Sequence, residues 1–394
     1  MLDMTQAAPP DFRRTMRPAL IVGVLGVVLT AVGAFLAPAQ FFRSYLVAYI
    51  FFIGLALGCL AFAMLHYLAG GAWSAVLRRV LEAAMRTLPL MALLAIPFLF
   101  GMPYLYEWAH PEVVAQDALL QWKQPYLNVP FFWIRAVIYM AVWLILLYFF
   151  NRWTNEQDRT GEARWADKMR SLAAPGLILL AITVTFGAFD WLMSLEPHWF
   201  SHIYGALLAM SAMLGALAFG TLVLALASQY DHLNEVITPR ILSDLGSLIL
   251  AFTMIWAYFA FSQYLLIWYA NLQEEVPWYL RRLEGGWQIL AAADVFLGFA
   301  LPFLLMMGGD VKRRARPLAI AAGFVLFMRL VDLYWMVAPA FVEHLQVHWL
   351  DIAALVGVGG IWVWFFLRQL QRRPILAYND PKLPAPVVDG HTAH

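Results

Sequence analysis

Residues 186–210, FGAFDWLMSLEPHWFSHIYGALLAM, put Asp190, Glu196, His198 and His202 into a narrow join between two long apolar runs, among Trp191, Trp199 and Tyr204. Carboxylates and imidazoles at such a join suit proton exchange with an aqueous phase, since histidine in general titrates near neutral pH. Glu196 and His198 then form a proton mouth, and Asp190 continues it inward. The alternative is that Glu196 and His198 cap the following helix and meet a partner at the surface. Asp190, Glu196 and His198 make a weak metal signal, because no second close histidine accompanies them.

Four more charges lie inside apolar runs: Arg135, Asp294, Arg329 and Asp332. Charge inside hydrocarbon is costly, so each needs a partner and each is a functional candidate. Helical spacing lets Arg329 pair with Asp332 at i,i+3 and sets Arg135 beside Tyr139 at i,i+4. Thr183, Gly187, Asp190 and Ser194 form one stripe; Tyr258, Ser262 and Tyr269 form another, with Gln263 and Tyr264 beside it. Asp294 shares a face with Gly298, where a neighbouring helix can come close. Two readings stand. These groups relay protons or line a quinone-head pocket, or they are interhelical ion pairs that fix packing.

The elements that position these groups are membrane helices. Of the 394 residues 63% are hydrophobic and 13% charged, about half the charge of a soluble domain. Ten apolar runs recur near 18–38, 44–69, 87–108, 130–151, 172–194, 201–228, 245–270, 286–308, 317–339 and 348–369. Each is long enough to cross a hydrocarbon core of about 30 Å as a helix, and in lipid only a helix or a closed barrel satisfies its own backbone. The fold class expected is an all-α integral membrane protein of ten transmembrane helices. All five charges fall in the outer half of their runs, with Asp294 roughly 12 Å inside its run. Of the 26 Lys and Arg, 20 lie on the side that holds both termini, four on the other side, and Arg135 and Arg329 inside runs. That bias places both termini in the cytoplasm; a bacterial inner membrane is what the family resemblance given below implies. The basic residues are thereby explained by topology, and no nucleic-acid site is expected.

Three regions follow: a cytoplasmic segment 1–17, a transmembrane domain 18–370 and a cytoplasmic Pro-rich tail 371–394, expected to be extended unless a partner holds it. The first run is read as a helix, not a signal peptide. Cys59 is the single cysteine, so this chain has no thiolate set for an iron–sulfur cluster or for covalent haem. His66 and His202 sit at opposite ends of their runs, which does not suit a buried haem. On the inner side, His66, Asp244, Ser247 and Thr253 are the candidates for a proton path. No P-loop, dinucleotide fingerprint, zincin motif or nucleophile elbow occurs. Most of the 17 Trp suit an interface belt, and the 17 Met suit core filling.

The stretches FDWLMSLEPHWFSHIYG and WAYFAFSQYLLIWYANLQEEVPWYLRR resemble one family. They are similar to the second large membrane subunit of alternative complex III, the ActF-type subunit of a quinol:cytochrome c oxidoreductase. That family is a divergent relative of the NrfD/polysulfide-reductase membrane anchors. The resemblance covers essentially the whole chain. It implies two four-helix bundles, helices 2–5 and 6–9, flanked by helices 1 and 10. It implies a subunit that binds no cofactor itself and is not catalytic alone, in a respiratory or photosynthetic complex. Quinol, haem c and iron–sulfur clusters would belong to partners: a related quinol-binding ten-helix ActC-type subunit, multihaem and monohaem cytochromes c, an iron–sulfur protein and other small membrane subunits, with lipid around them. The family's role is structural, with proton half-channels coupling quinol oxidation to proton translocation. Arg135, Asp190, Glu196, His198, Asp294, Arg329, Asp332, Tyr139 and Tyr258 would serve an outer path, and His66 and Asp244 an inner one.

Two other functions compete. In one, the chain binds quinone itself through Asp190, Gln263, Tyr264 and Arg135. In the other it is a secondary transporter. Pro97, Pro103 and Pro302 interrupt runs as transporter helices are interrupted, but not in corresponding halves.

Overall fold

A computed structural model describes residues 13–228, 233, 236–377, 379–380 and 382–383. Residues 1–12 and 384–394, which hold most of the N-terminal segment and the end of the Pro-rich tail, lie outside the described residues. Every described element is helical. Ten helices are long and apolar enough to cross a membrane. They are α1 (Arg13–Leu36), α2 (Pro38–Ala69), α3 (Ala72–Phe100), α4 (Val129–Thr160), α5 (Arg164–Trp191), α6 (Tyr204–Ala227), α7 (Pro239–Ala270), α8 (Trp287–Met307), α9 (Ala315–Val337) and α10 (Trp349–Leu370). The protein is a multi-pass membrane protein.

Local sequence sets the ends. Asn128 accepts the Phe131 N–H and Thr238 the Ile241 N–H, each followed by a proline in the first turn of α4 or α7. Proline there has no donor to lose and its φ already suits a helix. Gly161 ends α4 and Asn271 ends α7, both in the left-handed region, which these two residue types enter at low cost.

Helices α2–α5 pack into one bundle and α6–α9 into a second. The bundles meet through α6, which lies against both α2 and α5. Helices α1 and α10 pair antiparallel and lean on α2. Their crossing needs glycine, since a Cβ on Gly26 would lie 2.4 Å from the Gly357 nitrogen. Close backbone approach of this kind compensates for the missing hydrophobic drive in lipid. Exposed Ile182, Phe186, Phe261, Leu266 and Ile320 form the outer, lipid-compatible surface. Because α1 and α10 run antiparallel, the residues at 13 and 370 share one face, termed here the terminal face. The opposite one is the far face.

Helix α3 departs from the sequence expectation of a run at 87–108. It starts at Ala72, after only Gly70 and Gly71, and becomes 3-10 over Ile96–Phe100. Pro97 has no N–H to give the helix ladder. Beyond it, residues 101–128 form short helical turns on the far face. A lateral, almost wholly apolar cavity of about 230 Å³ lies beside the break, among Tyr49, Met102, Trp133, Met140 and Trp191. Residues 371–377 do not extend away: Ile375, Leu376 and Ala377 are buried against the terminal end of the first bundle.

Candidate functional site

Among the described residues the buried charges form three clusters, one in the far half of each bundle and one at the terminal end of the first, with Arg282 buried apart from them at the far face. In the first bundle, Arg135 on α4 donates from Nε to Asp190 Oδ2 at 2.8 Å and from Nη2 to Oδ1 at 2.9 Å. Its Nη1 donates to the Tyr126 carbonyl at 2.9 Å, and Tyr139 Oη donates to Asp190 Oδ2 at 2.8 Å. The guanidinium is stacked over the rings of Tyr126 and Phe131, at 3.8 and 4.4 Å. The pair is a two-pronged fork, the strongest common ion-pair geometry, and Tyr139 adds a third donor to the carboxylate. One layer deeper, Trp143 Nε1 donates to Thr183 Oγ1 at 2.8 Å. The stripe of Thr183, Gly187, Asp190 and Ser194 does face the interior.

The second bundle builds its cluster from all four helices. Asp332 Oδ2 on α9 accepts from Ser211 on α6 at 3.0 Å, Trp256 on α7 at 3.2 Å and Arg329 Nη1 at 3.2 Å. The Arg329 guanidinium lies over the Trp256 ring at 3.6 Å. Asp294 on α8 is buried beside them, at the start of a π-helical turn, Asp294–Ala300. Such turns widen one loop of a helix and recur at functional sites.

At the far face, Glu196 caps no helix. It reaches sideways to Arg281 at 2.7 Å and Arg282 at 2.6 Å, on the short helix Val276–Leu283. Arg282 is buried, stacks on Trp278 at 3.7 Å and donates to the Met336 carbonyl at 2.7 Å. Burial pulls its guanidinium down from the ordinary value despite Glu196 beside it. His198 is exposed and bonded to Asp117 at 2.6 Å. Asp117 caps the helix Ala118–Lys123, accepting the N–H groups of Leu119 and Leu120. The Leu120 N–H, with His198, holds its carboxyl below the usual range. Among the described residues no hydrogen bond joins Glu196 or His198 to Asp190; the Ser194 hydroxyl reaches only the Asp190 carbonyl.

The terminal-face cluster was not legible in the sequence. Arg78, Arg79 and Arg86, three of the 20 basic residues explained there by topology, are buried in the first half of α3 around Glu82. Glu82 meets Arg78 at 2.7 Å, Arg79 at 2.8 Å and Arg86 at 3.4 Å. Arg79 also holds Asp158 at 2.6 Å. The tail closes the cluster: Asp380 Oδ2 lies 2.9 Å from His66 Nε2 and 3.0 Å from Arg78, while Arg373 lies 3.4 Å from Asp158. Lys382 Nζ donates to the His66 carbonyl at 2.6 Å. Burial opposes ionisation of Asp380, yet the His66 and Arg78 side chains outweigh it and hold the carboxyl well below the ordinary range. The i,i+4 spacing of Arg78, Glu82 and Arg86 was the available signal. The tail's part carried none.

Several expected members lie elsewhere. Tyr258 and Tyr269 are 66% and 89% exposed and point out of the second bundle, so Tyr258 is not in the outer cluster. Asp244 and Ser247 are exposed on the terminal side of α7, Ser247 accepting from Lys312 at 3.3 Å. Thr253 is buried without a partner. The four residues grouped around a quinone head do not come together. Arg135 and Asp190 pair in the first bundle, while Gln263 bonds to Ser201 and Tyr279 in the second, with Tyr264 against the Tyr279 ring. Among the described residues no set of three His, Cys, Asp or Glu is placed to hold a metal ion.

Between the two clusters of the first bundle the buried side chains of α4 are apolar. From Trp143 to Thr154 on α4, about 16 Å along the axis, the buried side chains are Leu146, Leu147 and Phe150. No family model matches the chain, and no curated protein matches it.

Proposed function

We propose that this chain is a non-redox membrane subunit of a quinol-oxidising, cytochrome c-reducing complex, with a supporting role and two proton half-paths. It would sit in a bacterial inner membrane with its terminal face in the cytoplasm. The partners would be a related quinol-binding ten-helix subunit, c-type cytochromes and an iron–sulfur protein. The two quoted stretches suggest the complex. The observation that carries the proton role is the depth of the charges: buried clusters lie in the far halves of both bundles and at the terminal end of the first, where about 16 Å of α4 with only apolar buried side chains separates the two ends. Two half-paths fit that spacing and one continuous wire does not. Gentle purification from native membranes, with a visible spectrum and mass spectrometry of what comes along, tests the reading. Haem c bands with cytochrome and iron–sulfur partners are expected. A colourless, solitary protein would sink it.

A second reading has one specific observation in its favour. The cavity of about 230 Å³ beside the α3 break is apolar and carries a buried, unpartnered Tyr49 hydroxyl, the mix expected of a site for an apolar ligand with one polar atom. A photoreactive quinone that labels α2 or α3 would support quinone binding by this chain; labelling confined to partner subunits would oppose it.

A further inference from the structure

Three carboxylates lie in the far halves of the bundles, and they differ in what surrounds them. Asp190 receives three donors, two from Arg135 and one from Tyr139. Asp332 receives three on a single oxygen, from Ser211, Trp256 and Arg329. A proton added at that oxygen, or at Asp190 Oδ2, has to displace a donor. Asp294 is 7% exposed, and among the described residues neither of its oxygens has a partner. Arg329 is 2% exposed, and its Nε and Nη2 are likewise without partners.

The free acid and the free donors border one space. A Cβ built on Gly298 would lie 2.9 Å from Arg329 Nη2 and 3.2 Å from Asp294 Oδ1. Yet no ion pair within 4.0 Å joins Asp294 to Arg329, whose partner is Asp332. Both groups lie against the bare Cα of Gly298, in the π-helical turn that begins at Asp294, close to one point yet not paired with each other. Buried polar atoms in native proteins are almost always satisfied, by protein or by ordered water. A polar void next to unsatisfied groups is where buried water is found, and one probe sphere of about 10–15 Å³ suffices to hold it. One water can donate to Asp294 Oδ1 and accept from Arg329 Nη2. The charges also leave an opening, since among the described residues Arg329 is the one cation in contact with the cluster while the cluster has two acids.

We propose that the space beside Gly298 binds water between Asp294 and Arg329, and that Asp294 is the far-half acid that takes up and releases a proton. Asp190 and Asp332 are then fixed pairing groups. In the uptake step hydronium in the space gives its proton to Asp294 Oδ1, an O–H bond forms there and water remains. The assignment of a proton-conducting purpose rests on the function proposed above; the hydration site and the choice of acid rest on the geometry alone.

The test is pH-induced infrared difference spectroscopy of the full chain in its native complex or in lipid nanodiscs, in H2O and D2O. One carboxyl C=O band should titrate and shift in D2O. It should vanish in Asp294→Asn, which loses no hydrogen bond and is expected to fold, and persist in Asp190→Asn and Asp332→Asn. Gly298→Ala should remove the response while Asp294 remains. A band that survives Asp294→Asn, or a response untouched by Gly298→Ala, overturns the proposal. If a variant does not fold, a high-resolution density map of the wild type decides: a water peak within hydrogen-bond distance of Asp294 Oδ1 and Arg329 Nη2 supports the site, and an empty space overturns it. The infrared result is independent of which partners co-purify, so it separates this proposal from the complex itself.

Discussion

Arg135 and Asp190 share two parallel N–H···O bonds, Tyr139 donates a third bond to Asp190, and the Tyr126 carbonyl accepts from Arg135. Lysine carries the same charge but cannot form the fork or stack between rings. Removing one member leaves the other charged in a buried setting, at a cost of about 3–5 kcal/mol. Replacing both with apolar side chains of similar size can be nearly neutral. Asp190→Asn should therefore lower the thermal midpoint of unfolding strongly, and Arg135→Leu/Asp190→Leu should recover most of the loss. If the double variant is as unstable as the single one, the pair holds more than the two helices it joins. Asp294 is the contrast at this scale, since it has no protein partner to lose.

At the scale of elements, α3 and the first part of the tail belong together. Helix α3 carries Arg78, Arg79, Glu82 and Arg86 into the protein, and the tail returns Arg373, Asp380 and Lys382 to meet them and His66. This strap has a defined pH sense. A carboxyl held below its unfolded value of about 3.9 contributes stability that is complete above that value. The contribution is lost as pH falls below it toward the folded value. The contribution of Asp380 to docking of the described tail residues should thus be constant through neutral pH and weaken below about pH 4. Limited digestion with pepsin at successive acid pH values should cut near Leu376 and Ala377 faster as pH falls. Asp380→Asn should expose the same bonds to a neutral protease at pH 7; equal protection of the variant and the wild type would count against the strap.

For the whole molecule, two bundles joined through α6 with α1 and α10 at the flank give a terminal face and a far face of different chemistry. The single native Cys59 is buried, so surface thiols can be introduced without background. The proposed orientation has the terminal face in the cytoplasm. Glu112→Cys on the far face should then react with an impermeant maleimide in intact spheroplasts, and Gly161→Cys only after lysis. The reverse pattern would invert the orientation and exchange the two half-paths.

The sequence by itself determined the class, the number of spans and most of their positions. Lipid leaves the backbone few choices, and a run of about 20 apolar residues suffices to identify a spanning helix. Spacing along one helix also made Arg329–Asp332 and the Asp190 stripe legible, since i,i+3 and i,i+4 neighbours must share a face. Only the tertiary structure decided which helix each charge meets. It paired Arg135 with Asp190 across α4 and α5, turned Tyr258 outward, and kept Gln263 apart from both. It also brought Asp380 back to His66, more than 300 residues away in the chain. Periodicity fixes the face of a residue within its own helix, but the rotation of that helix against its neighbours comes from packing across the bundle. That is why the tail's part in the terminal-face cluster, and the approach of Arg329 to Gly298, had no signature in the chain.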